Sequence, residues 1–185
     1  MINDILSELS REMDATVDSL KHDLARVRTG RANPSLLDGV VVNYYGTDTP
    51  LNKLATVSAP EAQMLVVQPF DQGIVADIEK AIRKANLGLS AVNDGKILRV
   101  PIPALTEERR KEMVKQVRRE SENHRVSART HRREANETLK ELLAEKEISE
   151  DDMHKAQDVV QKLTDDVTKR IEEVVKAKEE EVMAV

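Results

Sequence analysis

The sequence has no cysteine and no tryptophan, and only one phenylalanine and two tyrosines among its 185 residues. Without thiols there are no disulfides, no Cys-ligated zinc and no thiol nucleophile. Three aromatic side chains are too few to line a large ligand pocket or to grip nucleic-acid bases by stacking. No run approaches the roughly 20 apolar residues of a membrane span, and the first residues lack the basic-then-apolar layout of a secretion signal. A soluble, cytoplasmic protein with no membrane contact is expected. Glycine-rich phosphate loops of the Walker or dinucleotide kind are missing, and no serine can be matched by spacing with a histidine and an aspartate. Neither catalysis nor a cofactor is expected.

What the chain does contain is charge and aliphatic residues: 34% charged and 39% hydrophobic. Apolar burial must come from Leu, Val and Ile set among many charges, a composition that suits long amphipathic helices. The length allows one ordinary domain or two small ones. The net charge of -5 conceals a strong asymmetry. Between Arg109 and Arg133 there are ten Lys or Arg residues, opposed by Glu112, Glu120 and Glu122. From Glu141 onward the acids prevail, so the local field reverses along the chain.

Leu6, Met13, Leu20 and Val27 recur at heptad spacing with Ile2, Leu9, Val17 and Leu24, which predicts a helix from about residue 2 to 28 ending near Thr29-Gly30. From Asp38 to Pro103 the period changes. Val40 to Tyr45, Ala55 to Ser58, Met64 to Gln68 and Ile97 to Val100 read as strands, with Asn93-Asp94-Gly95 as a hairpin-type turn and one helix from Ile74 to Ala85. After Pro101-Ile102-Pro103, Thr106 can cap a helix running to about Lys146, roughly 60 Å long. A third helix starts at Ser149, with Met153, Ala156, Val160, Leu163, Val167, Ile171 and Val174 as its stripe. The fold class expected is α+β: an elongated antiparallel three-helix bundle (1–29 and 105–185) with an inserted small β/α/β head (30–104). The hinges fall near 29–33 and 102–105, with Thr29, Gly30 and Arg31 in one crossing and Pro103, Ala104 and Leu105 in the other.

At 100° per residue, Arg118, Arg125, Arg129 and Arg132 fall in a band about 60° wide, and Lys111, Lys115, Arg133 and Lys140 widen it on one side. The stripe of Val114, Val117, Ala128, Ala135, Leu139 and Leu142 lies about a quarter turn away, which leaves the basic face to solvent. The alternative is a solvated helix face whose charges pair with neighbouring acids. Against it, only Glu122 interrupts the band, and a row of guanidiniums suits phosphates. Such a face would read the backbone and shape of structured RNA rather than its sequence. Glu150, Asp151, Asp152 and His154 fit a helix start better than a metal site. His124 and His131, beside the core stripe, read as partly buried interface residues, and His22 has no evident partner.

Several segments together carry a resemblance: Arg28-Thr29-Gly30-Arg31-Ala32, Pro34-Ser35-Leu36-Leu37, Tyr44-Tyr45-Gly46-Thr47, Arg99-Val100-Pro101, Leu105 to Arg110, Arg129, Arg132-Arg133 with Ala135, and Glu147 to Asp151. Over nearly its full length the chain resembles the ribosome recycling factor family. The resemblance implies an L-shaped, non-catalytic monomer that binds the post-termination ribosome and, with elongation factor G and GTP, promotes dissociation into subunits. It implies contact with large-subunit rRNA through Arg129 and Arg132, flanked by Arg133, Arg125 and Arg118, with Arg28 and Arg31 as weaker candidates. The family's aliphatic preference near His131 implies locally altered packing there. A coiled-coil adaptor is the competing class. It would need an apolar stripe left over once the bundle forms, and none of that size is evident.

Overall fold

The computed structural model describes residues 1–184. The chain divides into two compact units, one made of Met1–Val27 with the chain from Lys111 onward, the other of Arg28–Arg110.

The first unit contains three helices: α1 (Ile2–Ala25), most of α3 (Glu107–Ala144) and α4 (Glu150–Met183). Helix α1 buries Leu9, Met13, Val17, Leu20 and Leu24, as the heptad spacing predicts, and Thr16 besides, while Ile2 and Leu6 of the expected stripe are half-buried. It ends earlier than expected. Arg26 closes it in right-handed geometry, its N–H donating to the Asp23 carbonyl and the Val27 N–H to the Leu24 carbonyl, so Gly30 is not its cap. Thr106 Oγ1 accepts from the Arg109 N–H at 3.2 Å and caps α3. At the other end, the Glu147 N–H reaches the Leu142 carbonyl at 2.9 Å and the Lys146 N–H reaches Leu143 at 3.0 Å. That is a Schellman cap with a lysine, at φ +61°, where glycine is usual. Ser149 then starts α4 through a reciprocal capping box with Asp152. Contacts of Arg118 with Glu179 and of Arg170 with Asp14 set α4 antiparallel to α3 and beside α1.

Two expected core stripes shift. In α4 the buried row is Met153, Ala156, Val160, Thr164, Val167, Ile171, Val175, Lys178 and Val182, with Thr164 and Val175 in place of Leu163 and Val174. In α3, Met113 and Ser121 are buried and Val114 and Leu142 are only half-buried. The α4 row follows an eleven-residue repeat, 153/164/175, 156/167/178 and 160/171/182, close to the natural 3.6-residue turn, whereas α3 combines 117/128/139 with the heptad spacing of 121/128/135.

The second unit holds a hairpin, β1 (Val41–Tyr44) with β2 (Thr47–Pro50), and an antiparallel sheet of order β3-β4-β6-β5. Its strands are β3 (Ala55–Glu61), β4 (Met64–Pro69), β5 (Val92–Asn93) and β6 (Leu98–Pro101), and helix α2 (Val75–Lys84) connects β4 to β5. Tyr45 and Gly46 both have positive φ, +49° and +84°, as a two-residue turn that matches strand twist requires. Val42, Leu65, Val67, Ile78, Ile82, Leu98 and Val100 form the centre of its core. No helix of the described residues is long and apolar enough to cross a membrane.

Candidate nucleic-acid interface

Helix α3 places the arginines by its pitch, and its neighbours decide which remain available. Arg118 does not. Its Nε donates to Glu179 Oε1 on α4 at 2.7 Å, and this bond, with the carboxylate charge behind it, raises the guanidinium above its ordinary value. Arg125 and Arg129 converge on one carboxylate: Glu122 lies 3.8 Å from Arg125 Nη1 and 3.0 Å from Arg129 Nη1. Arg133 has Glu137 at 3.9 Å. The face is therefore better supplied with acids than its spacing alone suggests, and Glu122 is a shared counter-ion rather than a simple interruption.

Arg132 differs from the others. At about 100° per residue it falls only about 20° from the buried Ser121 and Leu139, at the edge of the core rather than a quarter turn from it. It is half-buried, and among the described residues no carboxylate lies within ion-pair distance of it. Its stem packs while its head has no protein counter-charge, an arrangement long cationic side chains adopt readily.

Arg129, Arg132, Arg133 and Lys140 line one open groove of about 520 Å³, together with Val126, Thr130, Asn136, Glu137 and, from α4, Gln161. Three arginines and one lysine face one glutamate there, so the groove carries an excess of positive charge. Surface ion pairs such as Arg129–Glu122 are individually weak, so a phosphate can displace the carboxylate at little cost. No aromatic side chain lines the groove. Tyr44, Tyr45 and Phe70 all belong to the second unit, where Tyr45 and Phe70 are 85% and 70% exposed. The donor set can grip a phosphodiester backbone and has nothing to stack on bases.

The remaining sequence candidates lie elsewhere. Arg28 and Arg31 are exposed residues of the second unit. The Arg28 guanidinium lies over Gly88, where an added Cβ would meet its Nη1 at 3.3 Å. In the same unit Thr29, Gly30, Arg31, Pro103 and Leu105 enclose a small cavity of about 40 Å³ with Arg28, Leu36, Leu89 and Ile102. His124 and His131 face α1, with His124 Nε2 3.3 Å from Asp23 Oδ2 and His131 Nδ1 3.3 Å from Glu12 Oε2. His22 meets Arg26 Nη2 at 3.1 Å. Asp152 serves the capping box.

Comparison with known proteins gives a consistent result. The sequence model of the family described as "Ribosome recycling factor" matches residues 20–183. A ribosome-recycling factor of Syntrophomonas wolfei is 52% identical over 161 residues, 87% of each chain. A solution structure of the ribosome recycling factor superposes with a TM-score of 0.81 at 41% identity, covering 100% of this chain and 98% of that one. A further structure presents the T. thermophilus ribosome recycling factor and E. coli elongation factor G on the E. coli post-termination complex. The chain matches it with a TM-score of 0.69 at 43% identity, each covered in full.

Proposed function

The chain belongs to the ribosome recycling factor family, and from that premise we propose that it binds the post-termination ribosome and, with elongation factor G carrying GTP, drives separation of the subunits without catalysing a covalent step. The single observation that carries the mechanism is the groove on α3. Arg129, Arg132 and Arg133 supply guanidiniums for the phosphates of large-subunit rRNA, and Arg125 lends charge beside them through its shared partner Glu122. Arg118, tied to Glu179, contributes to the bundle more than to RNA. Arg28 and Arg31 are secondary contacts. Such a factor works in the cytoplasm, as a single copy.

The two chain crossings, Thr29-Gly30-Arg31 and Pro103-Ala104-Leu105, act as the hinge in this proposal. Residues 29–31 and 103–105 lie outside every helix and strand, so backbone rotation there breaks no ladder of hydrogen bonds. The bundle then stays anchored on RNA while the partner GTPase moves the smaller unit. The test is subunit separation, followed by light scattering on post-termination ribosomes mixed with the chain, elongation factor G and GTP. Separation that needs all three components supports the reading. Intact ribosomes after that addition would overturn it.

A further inference from the structure

On the opposite side of α3 from the arginine groove, three metal-binding side chains converge. Asp23 comes from the last turn of α1, and Glu120 and His124 lie one turn apart on α3. Among the described residues this is the one group of three such donors whose ligand atoms all lie within 4.8 Å of one another. We propose that Asp23, Glu120 and His124 form a binding site for one divalent transition-metal ion, of which Zn2+ is the natural candidate, clamping the end of α1 to α3.

The hydrogen bonding of the imidazole carries the argument. His124 Nδ1 is 2.8 Å from the backbone carbonyl of Glu120. A carbonyl can only accept, so that nitrogen holds the proton. A metal-ligating histidine is oriented in the same way, one ring nitrogen donating to a carbonyl while the other presents its lone pair. The Nε2 lone pair then faces Asp23 Oδ2 at 3.3 Å. Two acceptors that face each other at this distance repel, and a cation between them turns that repulsion into attraction on both sides.

The distance and the charge both favour the cation. Ligand bonds of about 2.0–2.2 Å at a tetrahedral angle put neighbouring N and O ligands roughly 3.3–3.5 Å apart, and the observed separation is 3.3 Å. The Glu120 carboxylate needs to close by no more than about 1.5 Å to take a third position, within reach of one rotamer change. Two carboxylates surround one imidazole. A ring proton would neutralise one of them, whereas a divalent ion neutralises both. No Lys or Arg is within ion-pair distance of Asp23 or Glu120 among the described residues. Imidazole with carboxylates is also a donor set that suits zinc and its neighbours. Ser19 Oγ, 3.4 Å from Nε2, is placed to hold a water in the fourth position.

The test uses the untagged full chain, stripped with a chelator. Cobalt(II) is titrated while visible absorption is followed, and thermal unfolding is recorded with and without Zn2+. The expected result is a four-coordinate cobalt spectrum that saturates at one equivalent, and a Tm raised by about 5–10 °C at a hundredfold excess of Zn2+ over its Kd. Asp23→Asn, Glu120→Gln and His124→Gln should each lose most of both responses. His131→Gln should keep them, although His131 also faces an α1 carboxylate, Glu12. Glu120→Gln is decisive if another variant folds poorly, because it alters only a half-exposed side chain on an intact helix. A wild-type chain that shows neither cobalt absorption nor a Zn2+-dependent Tm overturns the proposal. So does a Glu120→Gln variant that responds as the wild type does.

Discussion

At residue level, the turn between α3 and α4 shows how a single side chain bears on stability. Lys146 holds φ +61° because the cap geometry requires it, not because lysine favours it. Lys146→Gly should raise stability by about 0.5–1 kcal/mol, since glycine has no Cβ to strain and its greater unfolded-state freedom offsets only part of the gain. Denaturant unfolding would show this as a higher midpoint at unchanged slope. Three residues on, the capping box makes stability depend on pH. The Ser149 hydroxyl, and after it the Ser149 N–H, hold the Asp152 carboxyl below its ordinary value of 3.8. A depressed carboxylate stabilises the fold above its unfolded pKa, and the contribution is lost as pH falls through the folded one. Asp152→Ala should therefore lower Tm at pH 7, with the gap to wild type narrowing below about pH 3.8. A gap that persists unchanged at low pH would mean the charge plays no part.

Among the elements, the long helices were the most legible part of the sequence, because their apolar residues recur with the pitch of a helix. The core rows were less so. Thr164 and Lys178 are buried in α4 and Ser121 in α3, yet a search for apolar side chains passes over all three and settles on Leu163 and Val174. Thr164 is accommodated by giving its hydroxyl proton to the Val160 carbonyl at 2.8 Å, a local bond that hydropathy does not register. In the smaller unit β2 and β5 are not legible as strands, β2 being short and mostly polar and β5 only two exposed residues long. The arginine band followed from spacing, but its ion pairs did not. Glu179 is 61 positions from Arg118 in sequence, and Glu122 reaches Arg129 seven residues away through rotamers that sequence does not specify. If Glu122 competes with phosphate for Arg125 and Arg129, Glu122→Gln should tighten ribosome binding about two- to fivefold at low salt. The gain should fade as salt screens the pair. Equilibrium binding at two ionic strengths measures it, and unchanged affinity at low salt would remove Glu122 as a competitor.

For the whole molecule, the smaller unit holds Gly30 close to Leu105. A Cβ on Gly30, whose φ is +74°, would meet the Leu105 backbone nitrogen and Cγ at 3.3 Å. Gly30→Ala should destabilise the smaller unit by about 1–2 kcal/mol, because alanine is strained in that backbone region and Leu105 has to give way. Limited proteolysis should then cut faster near Thr29 to Asn33, while the helical circular dichroism of the bundle persists. A variant as resistant as wild type would show that the segment from Thr29 to Asn33 does not depend on this contact. The function proposed above requires an anchored bundle and a moving smaller unit that act in sequence. Anchoring is the step on which the rest depends. It is tested most directly by the equilibrium affinity of Arg129→Gln/Arg132→Gln for ribosomes across a salt series, glutamine being chosen so that the half-buried stem of Arg132 keeps a packing substitute. The account predicts weaker binding, a dependence of log affinity on log salt flatter by up to about two units, and a Tm within about 2 °C of wild type. Wild-type affinity with the wild-type salt dependence would contradict it.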